Sequence, residues 1–197
     1  MIQATKIQYY SPEEYLALEE VADDKSEYID GQILPMAGGS TNHNRIVVNF
    51  SATLNFAFKT QNYEVFMSDL RLWIPEKRIY TYPDIMIVAG QPEYFNDRQD
   101  IITNPQVIIE VLSRSTQAYD RSDKFYDYRT IPTFAEYLLI DQNKVYLEHF
   151  VRTGAKRWSL RECDRSDDLI ALSSLNFSIS LADIYHKVEL TDEISSK

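Results

Sequence analysis

Two carboxylates and a lysine stand at positions where their chemistry would be costly to leave unused. Asp84, after Pro83, opens the apolar run Ile85-Met86-Ile87-Val88, and Glu110 interrupts a second run, Val107-Ile108-Ile109-Glu110-Val111-Leu112. Near-continuous apolar residues imply strands buried on both faces. A carboxylate in such a strand is expensive unless a cation neutralises it. Two of them on consecutive strands, followed by Lys124 on an amphipathic stretch, would hold a divalent metal with an ammonium beside it. Mg²⁺ suits this donor set, because it takes a few carboxylates plus waters at roughly 2.0–2.1 Å, and Mn²⁺ is a possible substitute. Such a metal activates water and stabilises the charge that develops when a phosphodiester is hydrolysed. Strand alternation puts Glu110 on one face with Ile108 and Leu112, and the backbone carbonyl of Val111 is a candidate third ligand.

Lys124 has Asp120 and Tyr128 as its i−4 and i+4 neighbours, a mixed polar and aromatic stripe. Its ammonium could orient the attacking water or stabilise the phosphoryl charge. Deprotonated beside a metal, it would instead act as a base. Each residue also has an ordinary reading: an Asp after Pro often caps a turn, a buried Glu can pair with a buried Arg, and a helical Lys is usually solvated. Glu27 and His43 form a second tier. Glu27 would complete the acidic pocket through a water or sit on a half-exposed strand, and His43 would contact phosphate or bond locally at a helix start. Ser113 and Ser115 could donate to phosphate or cap the next segment. Arg121 and Arg129 could follow a nucleic-acid backbone or pair with nearby acids.

The elements that must position these groups read as follows. Ser11-Pro12-Glu13-Glu14 is a helix start with a capping box, ending near Glu20. Residues 26–37 form a hairpin about Asp30-Gly31. A long amphipathic helix over 42–61 is marked by Ile46, Phe50, Leu54 and Phe58. Strands follow at 64–74, 82–89 and 106–112, with Leu70, Leu72 and Ile74 facing opposite to Arg71 and Trp73. A helix over 119–130 is stopped by Ile131-Pro132. A strand at 134–140, a hairpin of 144–152 with 156–162, a short strand at 169–172 and a terminal helix from 181 to about 190 complete the chain. This predicts one α/β domain spanning 1–197, with a core at about 25–150 and antiparallel hairpins attached.

Composition narrows the function classes. The 44% hydrophobic and 25% charged content of the 197 residues is that of an ordinary globular chain. No apolar stretch approaches the ~20 residues of a membrane span. The N-terminal residues lack a signal-peptide pattern, so a cytoplasmic protein without membrane association is expected. A single cysteine excludes an intrachain disulfide framework. The net charge of −10 counts against simple electrostatic attraction to nucleic acid. Much of the acidic excess is N-terminal, in Glu13, Glu14, Glu19, Glu20, Asp23, Asp24, Glu27 and Asp30. No basic stripe occurs elsewhere.

An ordered series of motifs resembles the Uma-two family. It comprises Lys25-Ser26-Glu27-Tyr28-Ile29-Asp30-Gly31-Gln32-Ile33, Gly39-Ser40 with His43 and Ile46, and Tyr82-Pro83-Asp84-Ile85. It continues with Ile108-Ile109-Glu110-Val111-Leu112-Ser113 with Ser115-Thr116, Tyr119-Asp120-Arg121 with Lys124 and Tyr128, and Glu136-Tyr137 with Leu139-Ile140-Asp141. Members of that family are grouped as restriction-endonuclease-like proteins of the PD-(D/E)XK nuclease superfamily, and the resemblance runs from about residue 8 to 160. It implies an α/β/α core with a mixed central sheet, Mg²⁺-dependent hydrolysis of DNA, and Asp84 and Glu110 as metal ligands. The superfamily pattern would put a lysine two residues after Glu110, where this chain has Leu112. Lys124 is the candidate for a lysine relocated to the following helix. A homodimer is expected, since two cuts on antiparallel strands match a two-fold axis and edge hairpins near 144–162 invite pairing. Two rivals remain at this point: a nuclease-fold protein that binds nucleic acid or acts as an interaction subunit without turnover, and a hydrolase of another phosphate ester.

Overall fold

The chain was analysed as a computed structural model that describes residues 8–113 and 116–190. Its strands, in chain order, are β1 (Ser26–Ile29), β2 (Gln32–Pro35), β3 (Tyr63–Met67), β4 (Arg71–Ile74), β5 (Ile79–Thr81), β6 (Ile85–Ala89), β7 (Ile101–Ile102), β8 (Val107–Leu112), β9 (Glu136–Asp141), β10 (Leu147–Gly154), β11 (Arg157–Cys163), β12 (Leu169–Leu172) and β13 (Phe177–Ser180). The helices are α1 (Pro12–Glu19), α2 (Thr41–Ala57), α3 (Gln117–Tyr119), α4 (Phe125–Tyr128) and α5 (Leu181–Ile184). A π-helical turn, Asp120–Lys124, joins α3 to α4 without a break.

The centre is a six-stranded mixed sheet in the order β11-β10-β9-β8-β6-β3. β8 and β9 are parallel, and the other pairs are antiparallel. One face carries Ile85, Ile87, Val107, Ile109, Val111, Leu138 and Ile140, and α2 covers it with Ile46, Phe50, Leu54 and Phe58. The four-residue spacing therefore marks the buried stripe, as expected, although the helix expected to reach 61 ends at Ala57 with Phe58 as its C-cap. The other face carries Met86, Ile108, Leu112, Tyr137 and Leu139. Tyr128 of α4 covers it together with Leu72, Ile74 and Ile79 of a second sheet, ordered β2-β1-β5-β4-β7. Helices thus lie on both faces of a mixed α/β core, and antiparallel hairpins extend from it. The far side of the second sheet packs Tyr28, Trp73 and Tyr80 against Tyr15 of α1.

Local chemistry sets the boundaries. Ser11 accepts from the Glu14 amide while Glu14 reaches back to the Ser11 amide, which closes the capping box of α1. The β1–β2 hairpin turns on Asp30 (φ +40°) and Gly31 (φ +100°), both in the left-handed region that a two-residue turn demands. A Cβ on Gly31 would lie 2.7 Å from the Tyr9 ring, so glycine is required twice over.

Three expectations are corrected. The strand expected at 64–74 is two strands in different sheets: β3 pairs with β6, the chain turns at Ser68 to Leu70, and β4 pairs with β5. Both faces of β4 are covered, with Leu72 and Ile74 on the central-sheet side and Trp73 stacked on Tyr80, ring centroids 4.1 Å apart, on the other. The helix expected to reach about 190 stops at Ile184. Lys187 adopts φ +59°, and Asn49 takes the Ile184 and His186 carbonyls while Asn42 takes that of Glu189. Carbonyls that a longer helix would bond internally are satisfied by α2 instead. The helix expected at 119–130 starts at Gln117 and contains the π turn. Strands β5 and β7, three and two residues long, are too short to give a periodic signal, and β13 has no counterpart among the expected strands.

Candidate active site

The sheet register brings the two carboxylates together. Ile85 of β6 pairs with Ile109 of β8 in antiparallel fashion, so Asp84, one residue before β6, falls opposite Glu110. The Asp84 amide donates to Glu110 Oε2 at 3.3 Å, and the Val111 amide donates to Asp84 Oδ2 at 2.8 Å. Successive strand residues direct their amide and carbonyl groups to alternate edges, each residue keeping both on one edge. The Val111 carbonyl therefore leaves β8 on the same edge as the amide that reaches Asp84.

Glu110 lies on the face shared with Ile108 and Leu112, as alternation requires, and is only 3% exposed. On that face it meets the helical run after β8. Tyr128 donates its hydroxyl to Glu110 Oε1 at 2.7 Å, and Lys124 Nζ lies 2.9 Å from the same oxygen. The lysine is itself buried, with Asp120 Oδ1 at 3.5 Å and Glu27 Oε1 at 3.8 Å. Its ordinary reading as a solvated helix residue is excluded by this placement. Glu27 stands across β1 from Thr81 of β5, whose hydroxyl donates to the same Glu27 oxygen. His43, in the first turn of α2, places Nε2 3.0 Å from Asp84 Oδ2. Its loop neighbour Ser40 caps that helix by accepting from the His43 amide.

The electrostatics are those of a crowded acidic centre. Burial pushes the Glu110 carboxyl up to about 8, with Lys124 opposing the shift and the Asp84 and Asp120 charges adding to it. Asp120 is likewise raised by burial, against the pull of Lys124. Desolvation works against the Lys124 ammonium, but Glu110, Glu27 and Asp120 outweigh it and hold its pKa well above the usual lysine value. Burial also disfavours the His43 imidazolium, and here the hydrogen bond and charge of Asp84 prevail, so its pKa is raised. Four carboxylates therefore surround one ammonium and one imidazole, an excess of negative charge in a low-dielectric pocket.

That donor set fits a hard divalent cation. Among the described residues, no group of three or more His, Cys, Asp or Glu side chains is arranged to hold a metal ion by itself. Mg²⁺ does not require such a group, since it keeps several waters and takes one or two carboxylates. Oδ2 of Asp84 is engaged by His43 and Val111, and Oε1 of Glu110 by Tyr128 and Lys124, which leaves Asp84 Oδ1 and, with only the 3.3 Å bond from the Asp84 amide, Glu110 Oε2 as the less engaged carboxylate oxygens of the pair.

The first and second tiers of sequence candidates therefore gather at one place: Asp84, Glu110, Lys124, Glu27, His43 and the Val111 backbone. Asp120 and Tyr128 were visible only as helical neighbours of Lys124, and that i±4 spacing was the signal for both. Ser113 pairs with Thr116 in a local turn, and Ser115 lies outside the described residues. Arg121 is committed to Glu148 at 2.8 Å, and Arg129 lies over the Phe125 and Tyr126 rings. Beside the site, an open polar hollow of about 390 Å³ is lined by Ser40, Asn42, Arg45, Gln142, Asn143 and Glu189, with Thr41. Gln142 ties it to the end of β8 by donating to the Leu112 carbonyl at 2.8 Å.

A mixed sheet flanked by helices, with carboxylates meeting at adjacent strand ends, is a restriction-endonuclease-like architecture. A crystal structure described as a putative nuclease belonging to DUF820 from Anabaena variabilis shares this fold with a TM-score of 0.73, covering 89% of this chain and 97% of that one at 20% identity. Residues 12–182 match the model of the Uma2 family, described as "Putative restriction endonuclease", and the chain belongs to that family. Two Synechocystis proteins are similar over most of their length. The uncharacterized protein sll1609 is 46% identical over 162 residues (82% of this chain and 90% of that protein). The uncharacterized protein slr1290 is 37% identical over 177 residues (89% and 90%). No helix among the described residues is long and apolar enough to cross a membrane.

Proposed function

We propose that this chain is a metal-dependent endonuclease that hydrolyses DNA phosphodiester bonds. The observation that carries the reading is the Lys124 ammonium 2.9 Å from Glu110, buried beside a carboxylate that the sheet register sets opposite Asp84. In this reading Lys124, from the following helix, takes the part of the lysine that the superfamily places two residues after Glu110. Asp84, Glu110 and the Val111 carbonyl would hold Mg²⁺, with Mn²⁺ as a substitute. Bound there, the ion would supply a polarised phosphoryl oxygen and a water of lowered pKa.

The chain's own groups then have distinct roles. Lys124 donates to the attacking water or to a phosphoryl oxygen as negative charge grows, an electrostatic contribution that is large in a water-poor pocket. Asp120 and Glu27 keep that lysine charged and hold it at the site. His43 anchors Asp84 Oδ2 and turns Oδ1 outward. The hollow beside α2 offers polar contacts from Ser40, Asn42 and Asn143 to a flanking stretch of backbone, while its Arg45 is paired with Glu189 at 3.1 Å. β11, an edge strand with mostly exposed side chains, is a surface on which a second copy could pair, and a homodimer would match the two-fold symmetry of duplex DNA.

Incubation with supercoiled plasmid, duplex and single-stranded oligonucleotides tests the activity. Millimolar Mg²⁺ or Mn²⁺ is expected to give nicked or linear products that EDTA prevents and Asp84→Ala abolishes. Metal-dependent cleavage that persists undiminished in Asp84→Ala contradicts the assignment. The net charge of −10 favours a second reading, a nuclease-fold binding or interaction subunit. It predicts metal binding with no product from any DNA or small phosphodiester.

A further inference from the structure

We propose that the Tyr128 hydroxyl is a positioning group that fixes which oxygen of Glu110 faces the metal position, an inference that rests on the metal site proposed above. The terminal torsion of a glutamate is broad and roughly two-fold. A freely rotating Glu110 could therefore present either oxygen, or both, toward Asp84. Tyr128 removes that freedom. Its ring is fully buried and wedged between Phe134 and Tyr137, with centroids 5.8 and 5.6 Å away. From there the hydroxyl donates to Glu110 Oε1 at 2.7 Å, the shorter of the two bonds that orient this carboxylate, while Oε2 accepts from the Asp84 amide at 3.3 Å and retains a lone pair toward the metal position.

Lys124 touches the same oxygen, but the two donors are not equivalent. The lysine stem is flexible, and its ammonium also has Asp120 and Glu27 within 3.5 and 3.8 Å. When the ammonium turns toward water or phosphate, it leaves Oε1. Tyr128 is held by its ring packing and stays. The hydroxyl thus keeps Glu110 oriented through a reaction in which Lys124 must move, and the two groups divide the tasks of holding and donating. Tyr128 touches no reacting atom and acts only through Glu110. Groups that orient metal-ligating carboxylates in this way typically contribute 10–100-fold to metal affinity.

Tyr128→Phe deletes the hydroxyl and keeps the ring. Tyr137→Phe is the matched control: the same atom is lost from the same aromatic cluster, but that hydroxyl donates to the Asp120 backbone carbonyl at 3.1 Å and not to a carboxylate. Mn²⁺ affinity is measured from free-ion EPR intensity on the purified proteins, with melting temperature in EDTA as the report on the fold. Tyr128→Phe is expected to bind Mn²⁺ about 10-fold or more weakly, with Tyr137→Phe close to wild type. In cleavage assays the metal concentration for half-maximal rate should rise in Tyr128→Phe more than kcat at saturating metal falls. Mn²⁺ affinity equal to wild type in Tyr128→Phe, while Asp84→Ala loses binding, overturns this inference and leaves the metal site standing. Equal weakening in both tyrosine variants, or a Tyr128→Phe protein that fails to fold, reduces the hydroxyl to a packing role and also overturns it. A wild-type protein that binds no Mn²⁺ removes the site and the inference together.

Discussion

Glu110 and Glu136 lie on the adjacent parallel strands β8 and β9, at 3% and 0% exposure, and face opposite sides of the central sheet. Their surroundings differ in kind. Glu136 accepts from the Ser174 amide at 2.6 Å and the Ser173 hydroxyl at 3.3 Å, and His149 Nε2 lies 2.6 Å away. Burial works against its charge, but the His149 and Ser174 hydrogen bonds prevail and lower its pKa. At Glu110 burial prevails and raises the carboxyl to about 8: Lys124 opposes the shift, the Asp84 and Asp120 charges add to it, and the Tyr128 hydrogen bond is too weak to reverse it. Burial of an acid is common to both, so burial alone does not identify a site. The balance between donors and competing charges does. One glutamate is satisfied by its own protein and ties the β12–β13 connection to the sheet. The other sits in an unneutralised surplus of negative charge that a divalent cation would relieve.

Exchanging each glutamate for its amide should split these roles. Glu110→Gln is expected to reduce metal-dependent cleavage to background. Its melting temperature in EDTA should not fall, because the amide still accepts from Tyr128 and one like charge has left the cluster. Glu136→Gln should leave cleavage intact and cost about 2–3 kcal/mol of stability. Hydrogen bonds to a charged group contribute about 1.5–3 kcal/mol, and here the amide oxygen still accepts a weaker one. Denaturant titration of the two variants gives the comparison. A Glu110→Gln protein that is the less stable of the two would break it.

Lys124→Met sharpens the contrast within the acidic site. Cleavage at saturating Mg²⁺ should fall on the order of 10²–10³-fold, the range for removal of a donor aimed at developing charge. Mn²⁺ binding should persist, since the lysine is not a ligand. Loss of binding together with turnover would make Lys124 a structural clamp.

The smallest expected effect concerns pH. The Glu136 carboxyl has a folded-state pKa below its ordinary value of 4.5. Its contribution is therefore complete above that value and is lost as pH falls through the lower folded-state pKa. The stability gap between wild type and Glu136→Gln should be constant from neutral pH down to about 5 and then narrow. A gap that widens on acidification would reverse the sign of the linkage.

These two glutamates also mark how far the sequence could be read. Glu110 stood out because its strand is apolar on both sides in sequence, and the face it shares with Ile108 and Leu112 followed from alternation. Asp84 and Lys124 were legible from their places before and after that strand. Glu136 begins a strand of the same character, yet its partner His149 lies 13 residues on in the neighbouring strand β10 and its serine donors are Ser173 and Ser174. Nothing local announces them. The break between β3 and β4 was equally hidden, because both faces of β4 are covered and its alternation signals no solvent side. Side-chain direction through the π turn at Asp120–Lys124 is likewise a tertiary outcome, and it brings Asp120, Lys124 and Tyr128 to bear on Glu110.

The most direct test of the central claim is Mn²⁺ binding, by equilibrium dialysis, to wild type, Asp84→Ala, Glu110→Gln and Glu136→Gln at neutral pH. Wild type and Glu136→Gln are predicted to bind alike, and the two site variants to lose binding. Retention of wild-type affinity by Glu110→Gln would contradict the account.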